Sequence, residues 1–407
     1  MHIYLFAPIA YDFLHQRPQK LAEQFRSKSI PVTYVQPLGF REYLSGRRRG
    51  FFKACLSSLW YHLLAIFALV MPRSSNRTGK ASSVKQSEPV VRVISLPLTI
   101  PVNRADSVLV ESLVASVYRQ FLRKEVVSAN EHDAIAIFQN PFWGRVVEKG
   151  DFSKICYDCI DDVILYAGNS SVDRFQSYED QLLLKADVVV TTAATLEEHL
   201  RVKIPNHHVH RISNGVDYEW FQDQASKVIP AEVRPYKRPI VGYVGNIAGW
   251  MDYQLIAEVA AMVPDITFVF VGPIESQERI RRLQKLANIH WTGLKPYSEI
   301  PGYIKEFDVC IIPFVGGDIA RTTNPVKVFE YFALGKPVVS TPLDELVPFV
   351  QSNLLLFGDS AASFCDAIKK ALKEDDPVRA TERRNVSKAH SWKSLAQTFI
   401  NAIKEIN

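Results

Sequence analysis

An α/β architecture with two doubly wound domains is what this sequence predicts. Three observations carry it. Short β-branched runs alternate with longer helical patterns along the whole chain, the signature of βα units on a parallel sheet rather than of a sandwich. The alternation restarts after a charged, aperiodic stretch near residue 220. The 407 residues also exceed the usual reach of one hydrophobic core, so two domains of about 150–200 residues are the default.

Taken in order, the strand candidates of the first half are "IYLFAP", "VTYVQP", "VVRVISLPL", "AIAIFQN", "KICYDC", "DVVVTT" and "HVHRISN". Helical patterns fill most of the gaps, for instance 19–27 and 195–202. In the second half the candidates are "PIVGYVG", "ITFVFVG", "IHWTG", "DVCIIPF" and "KPVVST", followed by a last helical run over 392–406. The charged stretch 222–238, ending in "RPYKR", lacks a strong period. These readings predict a first domain over 1–218, a linker over 219–238, a second domain over 239–390 and a terminal segment 391–407 packing back on the first domain. Open sheets of this kind bind ligands outside the carboxyl ends of their strands. The loops at strand ends, and the cleft between the domains, are therefore where a two-substrate reaction is expected.

A hydrophobic content of 47% with 22% charged residues is ordinary for a globular protein and excludes a disordered or collagenous chain. Five scattered cysteines make no disulfide framework, and "MHIYLFAPIA" reads as a first strand rather than a leader. A reducing, cytoplasmic setting is the expectation, with no nucleic-acid partner. Charge is uneven. From Arg41 to Lys85 there are nine Lys or Arg and one acid, a local +8 that leaves −3 for the rest of a chain of net +5. Inside this insertion, 54–71 is eighteen residues without a charge apart from His62, at the lower edge of the ~17–25 a spanning helix needs. Strand candidates of one sheet flank it on both sides, which argues against a span. Two readings stay open: a segment lying on an anionic membrane surface, drawn there by its flanking arginines, or a long buried helix beside a solvated basic loop.

The stretch "RTTNPVKVFEYFALGKPVVST", 321–341, combines a helix with anion-binding features. Asn324 suits the N-cap, Pro325 the first helical position and Gly335 the stop, which predicts a helix over 325–334. Gly316 and Gly317 let backbone approach a ligand, the helix N-terminus offers unpaired N–H groups to an anion, and Arg321 adds a charge beside it. Glu330 is placed to accept hydrogen bonds from a sugar diol. The plain alternative is a surface ion pair between Lys327 and Glu330, three apart.

Elsewhere, "HQRPQ" places His15 and Arg17 at the carboxyl end of the first strand, where Arg17 could hold a phosphate bidentately. "YDCIDD" gathers Asp158, Asp161 and Asp162 at another strand end. Adjacent carboxylates raise one another's pKa, which suits a general base; solvated helix-capping acids are the competing reading, and a divalent cation ranks lower. Cys156 and Cys159 form a lone C-x-x-C on opposite strand faces and read as core. His207, His208 and His210 lack partner ligands, so no metal is expected. Asn214 and Gly215 sit at the domain junction.

The second half resembles the GT-B glycosyltransferases, in particular the retaining nucleotide-sugar transferases with an E-x7-E signature. "TTNPVKVFEYFALGKPVV" is similar to that motif, "FDVCIIPF" to the strand before it, "ISNGVDYEWF" to the interdomain Asn-Gly-Val-Asp segment and "VGYVGN" to the first strand and turn of the donor domain. "LHQRPQKLA", "YDCIDD" and "GWMDYQLI" resemble a narrower bacterial group, the transferases of teichuronic acid and other cell-surface polysaccharides. The likeness spans nearly the whole chain. It implies two Rossmann-like domains facing a cleft, a nucleotide-sugar co-substrate (UDP-linked), no tightly bound cofactor, and a lipid-linked or glycan acceptor at the inner face of the cell membrane. Carried onto this sequence, the donor residues are Glu330, Asn324, Thr323, Thr322, Arg321, Lys327, Gly245 and Asn246, with Gly293 to Tyr297 as a lip for uracil. Arg17 and Asn214 would serve acceptor or phosphate, and Asp161 or Asp162, with Asp158 and His15 nearby, the chemistry.

Two departures stand out. The first acid of E-x7-E falls at Thr322, and the turn "GNIAGW" lacks the usual basic pair, which leaves Arg321, Lys327 and Arg17 to neutralise a diphosphate and leaves retention or inversion open. The rivals are a GT-B-fold sugar-nucleotide epimerase and a non-catalytic nucleotide-sugar-binding subunit. A dinucleotide dehydrogenase is disfavoured, since no G-x-G-x-x-G follows either domain's first strand.

Overall fold

The computed structural model describes residues 1–12, 16–37, 91–96, 108–125, 133–162, 172–205, 207–227 and 230–405. His15 and the 41–85 insertion, with its 54–71 apolar segment, lie outside the described residues. The chain divides into two compact units: Met1–Thr191 with His199–His210 and Ile400–Asn407, and Thr192–Glu198 with Arg211–Phe399.

In the first unit seven strands form one sheet in the order β3-β2-β1-β4-β5-β6-β7: β1 (His2–Phe6), β2 (Val32–Gln36), β3 (Val91–Ser95), β4 (Ala134–Phe138), β5 (Lys154–Cys159), β6 (Val188–Thr191) and β7 (His208–Arg211). The pairings of β1 with β2 and β4, and of β4 with β5, are parallel. Parallel strands need crossovers and are covered on both faces, which is why "AIAIF" of β4 is apolar throughout and wholly buried. The order reverses between β1 and β4, so the loops after these strands diverge and open a crevice at their carboxyl ends.

The second unit repeats the plan with β8 (Ile240–Val244), β9 (Thr267–Val271), β10 (Ile289–Gly293), β11 (Val309–Ile312), β12 (Val338–Ser340) and β13 (Leu355–Phe357), in the order β10-β9-β8-β11-β12-β13. Its reversal lies between β8 and β11. One core, including Phe268, Phe270, Ile311 and Phe332, fills the space between this sheet and its helices.

Sequence and structure differ in two elements. The three-residue β13 has no periodicity to betray it. The stretch expected as a linker carries a helix, Tyr218–Lys227, whose Phe221 and Ala225 are buried four residues apart beneath a charged outer face. The last helix runs Trp392–Lys404, and its end from Ile400 counts with the first unit, where Lys154 Nζ donates to the Ile403 carbonyl at 3.0 Å. Among the described residues, no helix is long and apolar enough to cross a membrane.

Candidate functional site

In the second unit the candidate donor residues converge on the loop leaving β8. Gly245 takes φ 147°, and its N–H donates to the Val271 carbonyl at 2.8 Å. A methyl group there would come within 2.2 Å of Lys327 Cε and 2.9 Å of its Nζ, so the Lys327 side chain lies directly across this glycine. Gly272, leaving β9 at φ 145°, would bring a methyl within 1.9 Å of the Gly245 carbonyl. Both positions need glycine, for the left-handed backbone and for the close approach of two chains.

Lys327 and Glu330 belong to the helix Val326–Ala333. Tyr331 fixes that helix to the strand end, because its hydroxyl accepts the Val244 N–H at 2.9 Å; burial pushes this phenol's pKa well up, so it stays neutral. Residues three apart share a helix face, and Glu330 is accordingly buried, on the side that carries Lys327 to Gly245. Asn246 contributes its carbonyl to the Tyr243 hydroxyl at 3.1 Å. Lys327, Gly245 and Asn246 are thus brought together at the reversal point of the sheet, with Glu330 buried three residues along the same helix. The surface ion pair between Lys327 and Glu330 does not fit this burial.

The approach to the helix differs from expectation. Asn324 is not its N-cap: Pro325 occupies that position and no side chain caps it. Asn324 Oδ1 instead accepts the Asn214 N–H at 3.2 Å, its carbonyl accepts Asn214 Nδ2 at 2.8 Å, and its own Nδ2 donates to Glu345 at 3.0 Å. A partner 110 residues away outcompetes the local cap, and no short-range pattern announces it. Asn214 spends its amide on this clamp. Glu345, which sequence reasoning missed, anchors it. Before the clamp lies a short helix, Asp318–Thr322, where the Thr322 hydroxyl donates to the Asp318 carbonyl at 3.1 Å; Thr323 ends the helix and Arg321 is exposed. At β10, Gly293 has φ 73° and open space where a side chain would stand. The Tyr297 ring stacks on Trp220, with centroids 4.9 Å apart and planes 7° from parallel.

In the first unit, Arg17 and Asp158 meet across 141 residues. Arg17 Nε and Nη2 donate to the two Asp158 oxygens at 3.0 and 2.9 Å, and Gln139 Nε2 adds a third bond at 2.8 Å. All three side chains are buried. The bidentate face expected to grip a phosphate is occupied by a carboxylate, and Asp158 is correspondingly shut off as a base. Asp161 differs. Its surface is exposed, yet the crowding of surrounding protein, and then the charge of Asp162, push its carboxyl up to about 6 against a downward pull from Arg17. Asp162 is half-buried beside it. Cys156 and Cys159 are buried core thiols, held neutral chiefly by burial.

Residues 238–374 match the family model described as glycosyl transferases group 1. TuaH of Bacillus subtilis (strain 168), named for teichuronic acid biosynthesis as a glycosyltransferase, is 28% identical over 261 residues, covering 60% of this chain; the chain spans 65% of that relative's length. Among solved structures, sucrose-phosphate synthase from Thermosynechococcus elongatus superposes with a TM-score of 0.67 at 16% identity, over 99% of this chain and 98% of that one. An E. coli trehalose-6-phosphate protein bound with UDP-2-fluoro glucose gives 0.69 at 10% identity over 100% of both. Residues 238–374 are therefore similar to the group 1 glycosyl transferases, and the chain shares its two-sheet α/β fold with these solved structures.

Proposed function

We propose that this protein transfers a hexose from a nucleotide-sugar, UDP-linked, to a lipid-linked or glycan acceptor in the synthesis of a cell-surface polysaccharide such as teichuronic acid. The observation that carries the reading is Lys327 lying across Gly245 at the β8 strand end, with Glu330 buried three residues along the same helix. A buried carboxylate accepts the two hydroxyls of a ribose, and an ammonium beside the half-buried Gly245 neutralises the attached diphosphate. The name of the Bacillus relative supports the acceptor class, and the UDP-sugar held by a protein of this fold supports the donor.

In the reaction, the bond from the anomeric carbon to the diphosphate breaks and its electron pair leaves with the nucleoside diphosphate, whose growing charge Lys327 offsets. The acceptor oxygen bonds to the anomeric carbon. On an inverting course its proton passes to Asp161, whose carboxyl, at about 6, is largely ionised at neutral pH yet basic enough to serve. The basic insertion 41–85 would bring the enzyme to an anionic membrane surface on the cytoplasmic side, where lipid-linked acceptors are found.

A thermal-shift screen of nucleotide-sugars tests the donor reading. A ligand at about 100 times its Kd adds about 2.7 kcal/mol of stability, and Glu330→Ala should remove most of that shift. A protein unmoved by every nucleotide-sugar, or an alanine variant that responds like the parent, would defeat the proposal.

A further inference from the structure

We propose that Arg279 is the second cation of the donor site, working with Lys327 to hold a nucleoside diphosphate over the loop that leaves β8; this rests on the donor reading above. The loop itself, "GNIAGW" over 245–250, contains no Lys or Arg. The structure brings a cation to each of its ends. Lys327 lies across Gly245, as described. At the other end, a methyl on Gly249 would sit 2.7 Å from Arg279 Nη1 and 3.6 Å from both Cζ and Nη2, so the guanidinium rests on that glycine. Arg279 comes from the short helix Gln277–Ile280, and backbone pairing carries it there. Ile247 N–H donates to the Pro273 carbonyl at 2.9 Å, and Glu275 N–H to the Ile247 carbonyl at 3.0 Å. The β9 exit is thereby zipped to the β8 loop, four residues ahead of Arg279.

The loop between the two cations is itself electropositive. Three of its central carbonyls are occupied: that of Asn246 by the Tyr243 hydroxyl at 3.1 Å, that of Ile247 by the Glu275 N–H, and that of Ala248 by the Tyr253 hydroxyl at 2.8 Å. The N–H groups of Asn246, Ala248 and Gly249 donate to no acceptor among the described residues. A backbone with its acceptors tied down and its donors unspent is an anion cradle. Neither Arg279 nor Lys327 makes an ion pair or hydrogen bond among the described residues, whereas Arg238, Lys295 and Arg383 in the same unit are spent on Asp308 and Glu306, on Glu232 and on Asp375. Two unneutralised cations bracketing free amides fit two linked phosphates. A sugar hydroxyl would not need both charges, and a membrane headgroup would not need the buried carboxylate of Glu330 on the helix that carries Lys327.

Calorimetric titration with UDP, GDP and ADP, and with their nucleosides as controls, decides it. Arg279→Gln should weaken the diphosphate that binds the wild type by about tenfold or more, leave the matching nucleoside unchanged, and leave the melting temperature unmoved because the side chain is exposed and unpaired. Arg279→Lys should fall between. Equal diphosphate affinity in Arg279→Gln and wild type overturns the assignment while the donor reading stands. Parallel loss of nucleoside and diphosphate binding, pointing to a collapsed loop, overturns it also. Failure of the wild type to bind any of the three diphosphates sinks the donor reading itself, and this inference with it.

Discussion

Asp158 and Asp161 stand three residues apart in "YDCIDD" and could hardly be treated more differently by the fold. The alternation of a strand sends Asp158 inward, where Arg17 and Gln139 satisfy it. A guanidinium so placed is not lent to a phosphate without stranding a buried carboxylate, at a cost of about 3–5 kcal/mol. The sequence shows that acids cluster here; which of them is consumed depends on a partner 141 residues away and is invisible to it. Asp161, past the strand end, keeps solvent contact with a carboxyl raised to about 6. The linkage follows in sign: between about pH 4 and 6 the folded state holds more protons at this site than the unfolded chain, so its contribution to stability falls as pH rises through that window. Urea unfolding across pH 4 to 7 should show this slope in the wild type and a flatter one in Asp161→Asn. The initial rate of the wild type should climb through about pH 6 as the base ionises. A variant with the parent's slope and the parent's rate profile would remove Asp161 from the chemistry.

At the level of elements, the helix Val326–Ala333 was legible because its start and stop signals are local: Pro325 before it, and Gly335 after it at φ 70°. Its true cap arrangement was not, because Asn324 answers to Asn214 and Glu345 instead. Likewise the helix Tyr218–Lys227 hides in sequence because charge dominates its surface, while one aromatic, Phe221, is fully buried. Long-range partners also decide the β8 loop. Gly245 and Gly272 read as ordinary strand-end glycines, yet Gly272 is held to glycine by the neighbouring chain: an added methyl there meets the residue-245 carbonyl at 1.9 Å, a backbone atom that no rotamer change can move aside. Gly272→Ala should therefore displace the 245–249 loop and raise the Kd for the nucleotide by about tenfold or more, beyond the about 1–2 kcal/mol of backbone strain that a left-handed alanine adds to stability loss. Unchanged nucleotide affinity in a destabilised Gly272→Ala protein would show that the loop is not where the donor sits.

For the whole molecule, length and the restarted βα rhythm foretold two doubly wound sheets, and both sheets carry a reversal point where a nucleotide could dock. Fold alone does not choose between them; electrostatics does. At the β1–β4 reversal the nearby arginine is neutralised by Asp158, and Asp161 and Asp162 stand at the neighbouring strand end, a setting that repels a diphosphate. At the β8–β11 reversal the carbonyls of Asn246, Ile247 and Ala248 are tied down, the amides of Asn246, Ala248 and Gly249 have no acceptor among the described residues, and Lys327 lies across Gly245. Hydrogen exchange with and without saturating UDP should accordingly show new amide protection in the second unit, over 245–250, 272–276 and 316–327, with the 139–140 and 159–162 strand ends of the first unit unchanged. The loop amides report the contact directly, since an N–H that has no protein acceptor gains one only when the phosphate arrives. Protection appearing instead at the first unit's strand ends would place the donor on the opposite sheet, and with it would fall the roles given to Glu330, Lys327 and Arg279 together.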